Sequence, residues 1–123
     1  VVEHAPQLEI LEKAKVFVTH GGFSSTREGA YYGVPMVVFP GWFDQPGNAA
    51  RIVYHNLGVK GDMGEVTPQK LNGLLDQVLN SESIRVSVDR MKTNLQNQTD
   101  CRNGVEAINS FRSIPCLESC VTP

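Results

Sequence analysis

The sequence predicts an α/β fold in which a parallel sheet carries flanking helices in a Rossmann-like arrangement. Three observations lead there. Short apolar runs of strand length stand at 16–19, 34–40 and 58–60; segments with helical apolar spacing lie between and after them; and brief Gly- and Pro-marked turns join the two kinds. Strands alternating with helices in this way form βαβ units, whose strands are covered on both faces. Only three strands are visible, whereas a self-contained doubly wound sheet has about five or six, so part of the sheet is expected to lie outside these residues. Val1-Val2 reads as the stub of an earlier strand and the N-terminus as an internal cut. The edge at Val16–Thr19 would then be unpaired and prone to association.

Each element has a local reason. After Pro6-Gln7, the residues Leu8, Ile10, Leu11 and Ala14 suggest a short helix ending near Lys15, since Pro is tolerated in a first turn. Val16-Phe17-Val18-Thr19 reads as a buried strand, stopped by His20-Gly21-Gly22. Ser25-Thr26-Arg27-Glu28 fits a capping box, so a helix is expected from there to about Tyr32, with Gly33 as its stop. Val34–Pro40 is a second buried strand, bounded by prolines that cannot donate inside a ladder. Asn48 to about Asn56 has the polar start and apolar spacing of a third helix, and Gly58-Val59-Lys60 is a short strand after it. Thr67-Pro68 opens the next helix, where Leu71, Leu74, Leu75 and Val78 fall on one stripe of core-packing residues. Ile84, Val88, Met91 and Leu95 repeat that spacing over Glu82–Gln96, and Val105, Ala107, Ile108 and Phe111 suggest a last short helix. One domain over 1–112 and an irregular tail over 113–123 are expected.

Composition narrows the function. With 11 Lys and Arg against 13 Asp and Glu, the net charge is −2, and no block of like charge supplies an electrostatic reason to bind nucleic acid or anionic lipid. No apolar stretch approaches the roughly 18 residues a membrane helix needs. The three cysteines, Cys101, Cys116 and Cys120, form no disulfide framework, and the spacing of the last two is not that of a zinc site.

The chemistry concentrates at 16–28, where a strand runs through Gly21-Gly22 directly into a helix. Backbone N–H groups at a helix N-terminus, with roughly half a positive charge from the dipole, make a place for an anion. The glycines allow close approach, and Ser24 and Ser25 add hydroxyl donors, so the junction suits a diphosphate. Other phosphate-binding and hydrolytic patterns are absent: there is no Gly-x-Gly-x-x-Gly, no Gly-Lys-Ser/Thr and no Gly-x-Ser-x-Gly. On local grounds Glu28 could be a capping residue only, His20 a turn residue and Asp44 a helix cap.

Taken jointly, His20-Gly21-Gly22-Phe23-Ser24-Ser25-Thr26-Arg27-Glu28, then Gly33-Val34-Pro35 and Pro40, then Asp44-Gln45 and Asn48-Ala49, closely resemble the donor-binding signature of the UDP-glycosyltransferases. His4-Ala5-Pro6-Gln7-Leu8-Glu9-Ile10-Leu11 resembles the opening of the same signature, so the match runs in order and spacing from 4 to 49. The resemblance implies part of the C-terminal half of a two-domain, GT-B-type enzyme that binds a nucleotide sugar at the strand C-termini. It implies that His20 and the backbone of Gly21 and Gly22 hold the pyrophosphate with help from Ser24 and Ser25, and that Glu28 takes the ribose diol. Asp44 and Gln45 would bind the sugar hydroxyls, with Gln45 favouring UDP-glucose over UDP-galactose while UDP-glucuronic acid and UDP-N-acetylglucosamine stay open, and His4, Ala5 and Gln7 would lie at the base and ribose. Two positions depart from the plant members, which carry Trp where this chain has His4 and Asn where it has Ser24.

The same resemblance implies an inverting hexose transfer from a UDP-sugar to an acceptor hydroxyl, with no metal or cofactor beyond the co-substrate. The catalytic base, a His supported by an Asp, would lie in an N-terminal domain that also holds most of the acceptor, a small lipophilic molecule. Trp42 and Phe43 could line the acceptor cleft. Two other readings stay open at this point: a subunit of a split glycosyltransferase, and a non-catalytic nucleotide-sugar-binding module.

Overall fold

The computed structural model describes residues 2–97 and 99–112. Its elements run α1 (Gln7–Leu11), β1 (Phe17–Thr19), α2 (Phe23–Tyr32), β2 (Met36–Val38), α3 (Gln45–Tyr54), β3 (Gly58–Lys60), a 3-10 turn at Met63–Glu65, α4 (Pro68–Asn80), α5 (Glu82–Gln96) and α6 (Thr99–Arg112). The first two expected strands are present in shorter form, Gly58–Lys60 and Glu82–Gln96 coincide with their expected ranges, and the fourth helix opens at Thr67-Pro68 as expected. The tail at 113–123, with Cys116 and Cys120, lies outside the described residues.

The sheet is fully parallel, in the order β1-β2-β3. Phe17, Val18 and Thr19 pair with Met36, Val37 and Val38, which in turn pair with Gly58, Val59 and Lys60. Both crossovers step in the same direction, and right-handed connections of this kind place α2 and α3 on one face. Gly29 of α2 accordingly sits against Met36 and Phe17. Val37 points away from Met36 and is just as fully buried; α4, which contacts β2 and β3, covers that second face.

β2 is the centre of the core, as a strand paired on both edges and covered on both faces must be. Met36, Val37 and Val38 are shielded from solvent and pack in one cluster with Phe39, Ala49, Ile52, Leu57, Val78, Ile84 and Val88. Truncating a buried side chain of this size, as in Met36→Ala, costs about 2–5 kcal/mol. The Leu71, Leu74, Leu75 and Val78 stripe of α4 does pack on the core, and α5 lies along α2.

Four expectations need correction. The first helix ends at Leu11 rather than near Lys15. α3 starts at Gln45 instead of Asn48, because Pro46 occupies its first turn, where no backbone donor is needed. The capping box does not form: α2 begins two residues before Ser25, at Phe23, with Gly22 as its N-cap. Finally, α6 is a long helix of 14 residues, but its Val105, Ile108 and Phe111 are exposed rather than packed. β1 has no partner on its outer side among the described residues, as the sequence suggests, and Val18 is 47% exposed.

Candidate functional site

The C-terminal ends of β1 and β2 open into two loops that meet. In the first, Thr19 ends β1 and its hydroxyl accepts from the Gly21 N–H at 3.2 Å, turning the chain sharply. Gly21 has φ +85, and a Cβ there would stand 2.8 Å from Cγ1 of Val38, so backbone conformation and close packing both demand glycine. At Gly22 a Cβ would lie 2.6 Å from Nε2 of His20. The second glycine therefore makes room for the His20 ring, which rests over the start of α2.

No side chain caps that helix. The Thr26 N–H reaches the Gly22 carbonyl at 3.0 Å, and its hydroxyl donates to the same oxygen at 2.8 Å. These bonds set the helix register and leave the N–H groups of Phe23, Ser24 and Ser25 without intrahelical acceptors, as at any first turn. An uncapped N-terminus beside an imidazole is a donor-rich, electropositive spot.

One turn further along, Glu28 does not reach back to its own helix. Its Oε2 accepts from the side-chain amide of Gln7 at 2.6 Å, and the same amide lies 3.4 Å from the Ser25 hydroxyl. α1 packs on α2, which brings Gln7 to this place across 21 residues of sequence. Ser24 and Glu28 also line a groove of about 450 Å³ with Leu8, Phe23, Tyr31 and Leu95. A separate recess of about 320 Å³ at the end of β3, lined by Lys60, Asp62 and Lys70, contains none of these residues.

The second loop follows β2. Gln45 folds back so that its Oε1 accepts from the N–H groups of Gly41 and Trp42, at 2.8 and 3.2 Å. Phe43 adopts φ 59 at the tip, and Trp42 and Phe43 are 79% and 96% exposed. Asp44 stands at the N-cap position of α3, yet its side chain caps nothing there. Its Oδ2 instead accepts from the amide of Asn48 at 2.7 Å, and that amide also donates to the Gly21 carbonyl at 2.9 Å.

The structure thus gathers Gln7, Ser25 and Glu28 at one point, His20 and Gly22 at a second, and Gly21, Asp44 and Gln45 at a third, all around the start of α2. Ser24 is exposed on the same first turn. His4 and Ala5 are exposed in the extended segment before α1, and no hydrogen bond among the described residues joins them to the cluster. The sequence shows Thr19 only as a strand residue and Asn48 only as the polar start of a helix and a signature position, not as the buried bridge between the two loops. The available signal for Asn48 was a polar side chain sharing the apolar face of Ala49 and Ile52; all three are buried.

Comparison with known proteins gives the family and the fold. The family model for UDP-glucoronosyl and UDP-glucosyl transferase matches residues 1–98. The chain is 33% identical over 111 residues to the uncharacterized UDP-glucosyltransferase YdhE of Bacillus subtilis, covering 90% of this chain and 28% of that protein. It is 36% identical over 98 residues to UDP-glucuronosyltransferase 3A1 of Xenopus laevis, covering 71% of this chain and 19% of that one. Among solved structures, the glycotransferase of kitacinnamycin superposes with a TM-score of 0.72 at 36% identity over 76% of this chain and 24% of its own. Os79 from O. sativa, crystallised in complex with UDP and deoxynivalenol-3-glucoside, gives 0.70 at 26% identity over 75% of this chain and 23% of its own. The chain spans less than a third of the length of each of these proteins. Its parallel sheet with flanking helices corresponds to part of a GT-B glycosyltransferase fold, and the chain belongs to the UDP-glucoronosyl and UDP-glucosyl transferase family.

Proposed function

We propose that this chain is the donor-binding part of an inverting glycosyltransferase, which moves a hexose from a UDP-sugar to a hydroxyl of a small lipophilic acceptor. The observation that carries the reading is that one end of α2 meets both needs of a nucleoside diphosphate. Its uncapped first turn, His20 and the Ser24 and Ser25 hydroxyls offer donors to the diphosphate. Glu28 lies about 6 Å beyond Ser24 at 1.5 Å rise per residue, on the scale that separates a diphosphate from the ribose hydroxyls of the same nucleotide. With one oxygen held by Gln7, that carboxylate keeps lone pairs for two hydroxyl donors.

Asp44 and the amide NH2 of Gln45 then face the hexose. The acceptor oxygen attacks the anomeric carbon as the bond from that carbon to the diphosphate oxygen breaks. The electron pair leaves with UDP, the acceptor proton passes to a base outside this chain, and configuration inverts in the single displacement. Negative charge grows on the diphosphate during this step, so donors already aimed there stabilise the transition state. No metal is required in this scheme. The exposed Trp42 and Phe43, next to Asp44, support an apolar acceptor.

Calorimetric titration with UDP and UDP-glucose tests the reading. UDP should bind, and Glu28→Ala and His20→Ala should each weaken it by about 1–3 kcal/mol, the range for a hydrogen bond involving a charge or a partner left unpaired. A folded protein that ignores UDP would refute donor binding.

A further inference from the structure

Asn48 is 7% exposed, and it sits on the apolar face of α3 beside Ala49 and Ile52. A primary amide in such a place costs stability unless its hydrogens are used. Both hydrogens of its NH2 are used, one by the Gly21 carbonyl and one by the Asp44 carboxylate. Each partner is a pure acceptor, which fixes the amide orientation, because the flipped side chain would set oxygen against two oxygens. The Asp44 bond is local, because Asp44 is the N-cap residue of the helix that carries Asn48 and stands four positions back at the end of the turn after β2. The Gly21 bond leaves the helix altogether and runs across 27 residues to the loop after β1. The two loops touch at the same place, where a Cβ on Gly21 would lie 3.5 Å from the Gln45 carbonyl oxygen.

We propose that Asn48 is a positioning residue that couples the diphosphate loop to the sugar-recognition turn, holding Gly21 and Asp44 in one fixed relation through a single buried amide. The inference rests on the donor-site reading above. With the amide in place, Asp44 presents its other oxygen outward at a set distance from the Gly21-Gly22 backbone. A hexose still attached to its diphosphate must satisfy both loops at once, so it senses that distance. UDP, which lacks the hexose, senses the first loop only.

The test is a double-mutant cycle on the full-length protein, with UDP and UDP-glucose affinities measured by calorimetry in Asn48→Leu, Asp44→Ala and the double variant. Asn48→Leu should lower UDP-glucose affinity about tenfold more than UDP affinity, the size of one hydrogen bond to a charged group. In the Asp44→Ala background that extra loss should vanish, because the group being positioned is gone. Asn48→Ser, which is too short to bridge and adds no bulk, should repeat the result if the Leu variant does not fold.

A folded Asn48 variant with the unsubstituted ratio of affinities would overturn the inference while leaving the donor site intact. So would an equal loss with and without Asp44. If both substitutions unfold the protein, Asn48 belongs to the fold rather than to the site, and the inference fails. If the unsubstituted protein does not bind UDP, the donor-site reading falls and takes the inference with it.

Discussion

The loops after β1 and β2 meet at the start of α2 and are built from different materials. The first is built from backbone: its shape follows from the φ +85 of Gly21, the His20 ring above Gly22 and the uncapped start of α2. The second is built from side chains, with Gln45 closing the turn, Asp44 bonded to Asn48 and two large aromatics left in solvent. In the proposed donor site the backbone-built loop takes what every nucleoside diphosphate shares, while the side-chain-built loop takes the sugar and can change its preference by single substitutions. Glycine shows the contrast directly. At Gly21 a Cβ would stand 2.8 Å from the packed Val38 side chain, whereas at Gly41 in the second loop it would meet only the Gln45 amide oxygen, at 3.3 Å.

The largest effect expected is therefore Gly21→Ala. A side chain there meets an unfavourable backbone region and the Val38 methyl at 2.8 Å. Together these should cost about 2–4 kcal/mol of folding stability, read by denaturant unfolding, and abolish UDP binding in whatever fraction folds. Near-normal stability with retained UDP affinity would show that the first loop is as adaptable as the second.

A smaller and more selective effect is expected from Gln45→Ala. It frees the Gly41 and Trp42 N–H groups on an exposed loop and removes an amide donor next to Asp44. UDP-glucose affinity should fall about tenfold, near the value of one or two hydrogen bonds, while UDP affinity stays within about twofold. Equal losses for the two ligands, measured side by side by calorimetry, would erase the division of labour between the loops.

The difference in materials also explains what the sequence disclosed. Periodic burial is written directly in residue order, so the α4 stripe and the extents of β3 and α5 were legible. The Gly21-Gly22 junction was legible as well, because glycine pairs after an apolar run leave few alternatives. The start of α2 was not. Ser25 and Glu28 satisfy the capping pattern locally, but Gly22 and the Thr26 hydroxyl fix the register earlier, and Gln7 claims Glu28 from 21 residues away. Asn48 was read as a polar helix start, and its bridging role stayed hidden for a related reason: one partner is a backbone carbonyl 27 residues upstream, which only the folded sheet brings to the same amide as the neighbouring Asp44 carboxylate. Exposure of the Val105, Ile108 and Phe111 stripe of α6 likewise follows from tertiary placement, not from spacing.

The finest probe of the comparison is Phe43→Gly. Phe43 holds φ 59, a conformation that costs a β-carbon-bearing residue about 1 kcal/mol, and its ring is 96% exposed, so it recovers little of that by packing. Glycine removes the backbone penalty but loses about 0.5–1 kcal/mol of chain entropy on folding. The two terms nearly cancel, so unfolding free energy should change by no more than about 0.5 kcal/mol and UDP affinity should not change. The loss should fall instead on the KM for a lipophilic acceptor in the full-length protein, because a residue held in an unfavourable conformation without packing in return is retained for what its side chain contacts. A destabilisation above about 2 kcal/mol would mean that the ring anchors the second loop after all. An unchanged acceptor KM would remove Phe43 from the acceptor side and leave the turn with sugar recognition alone.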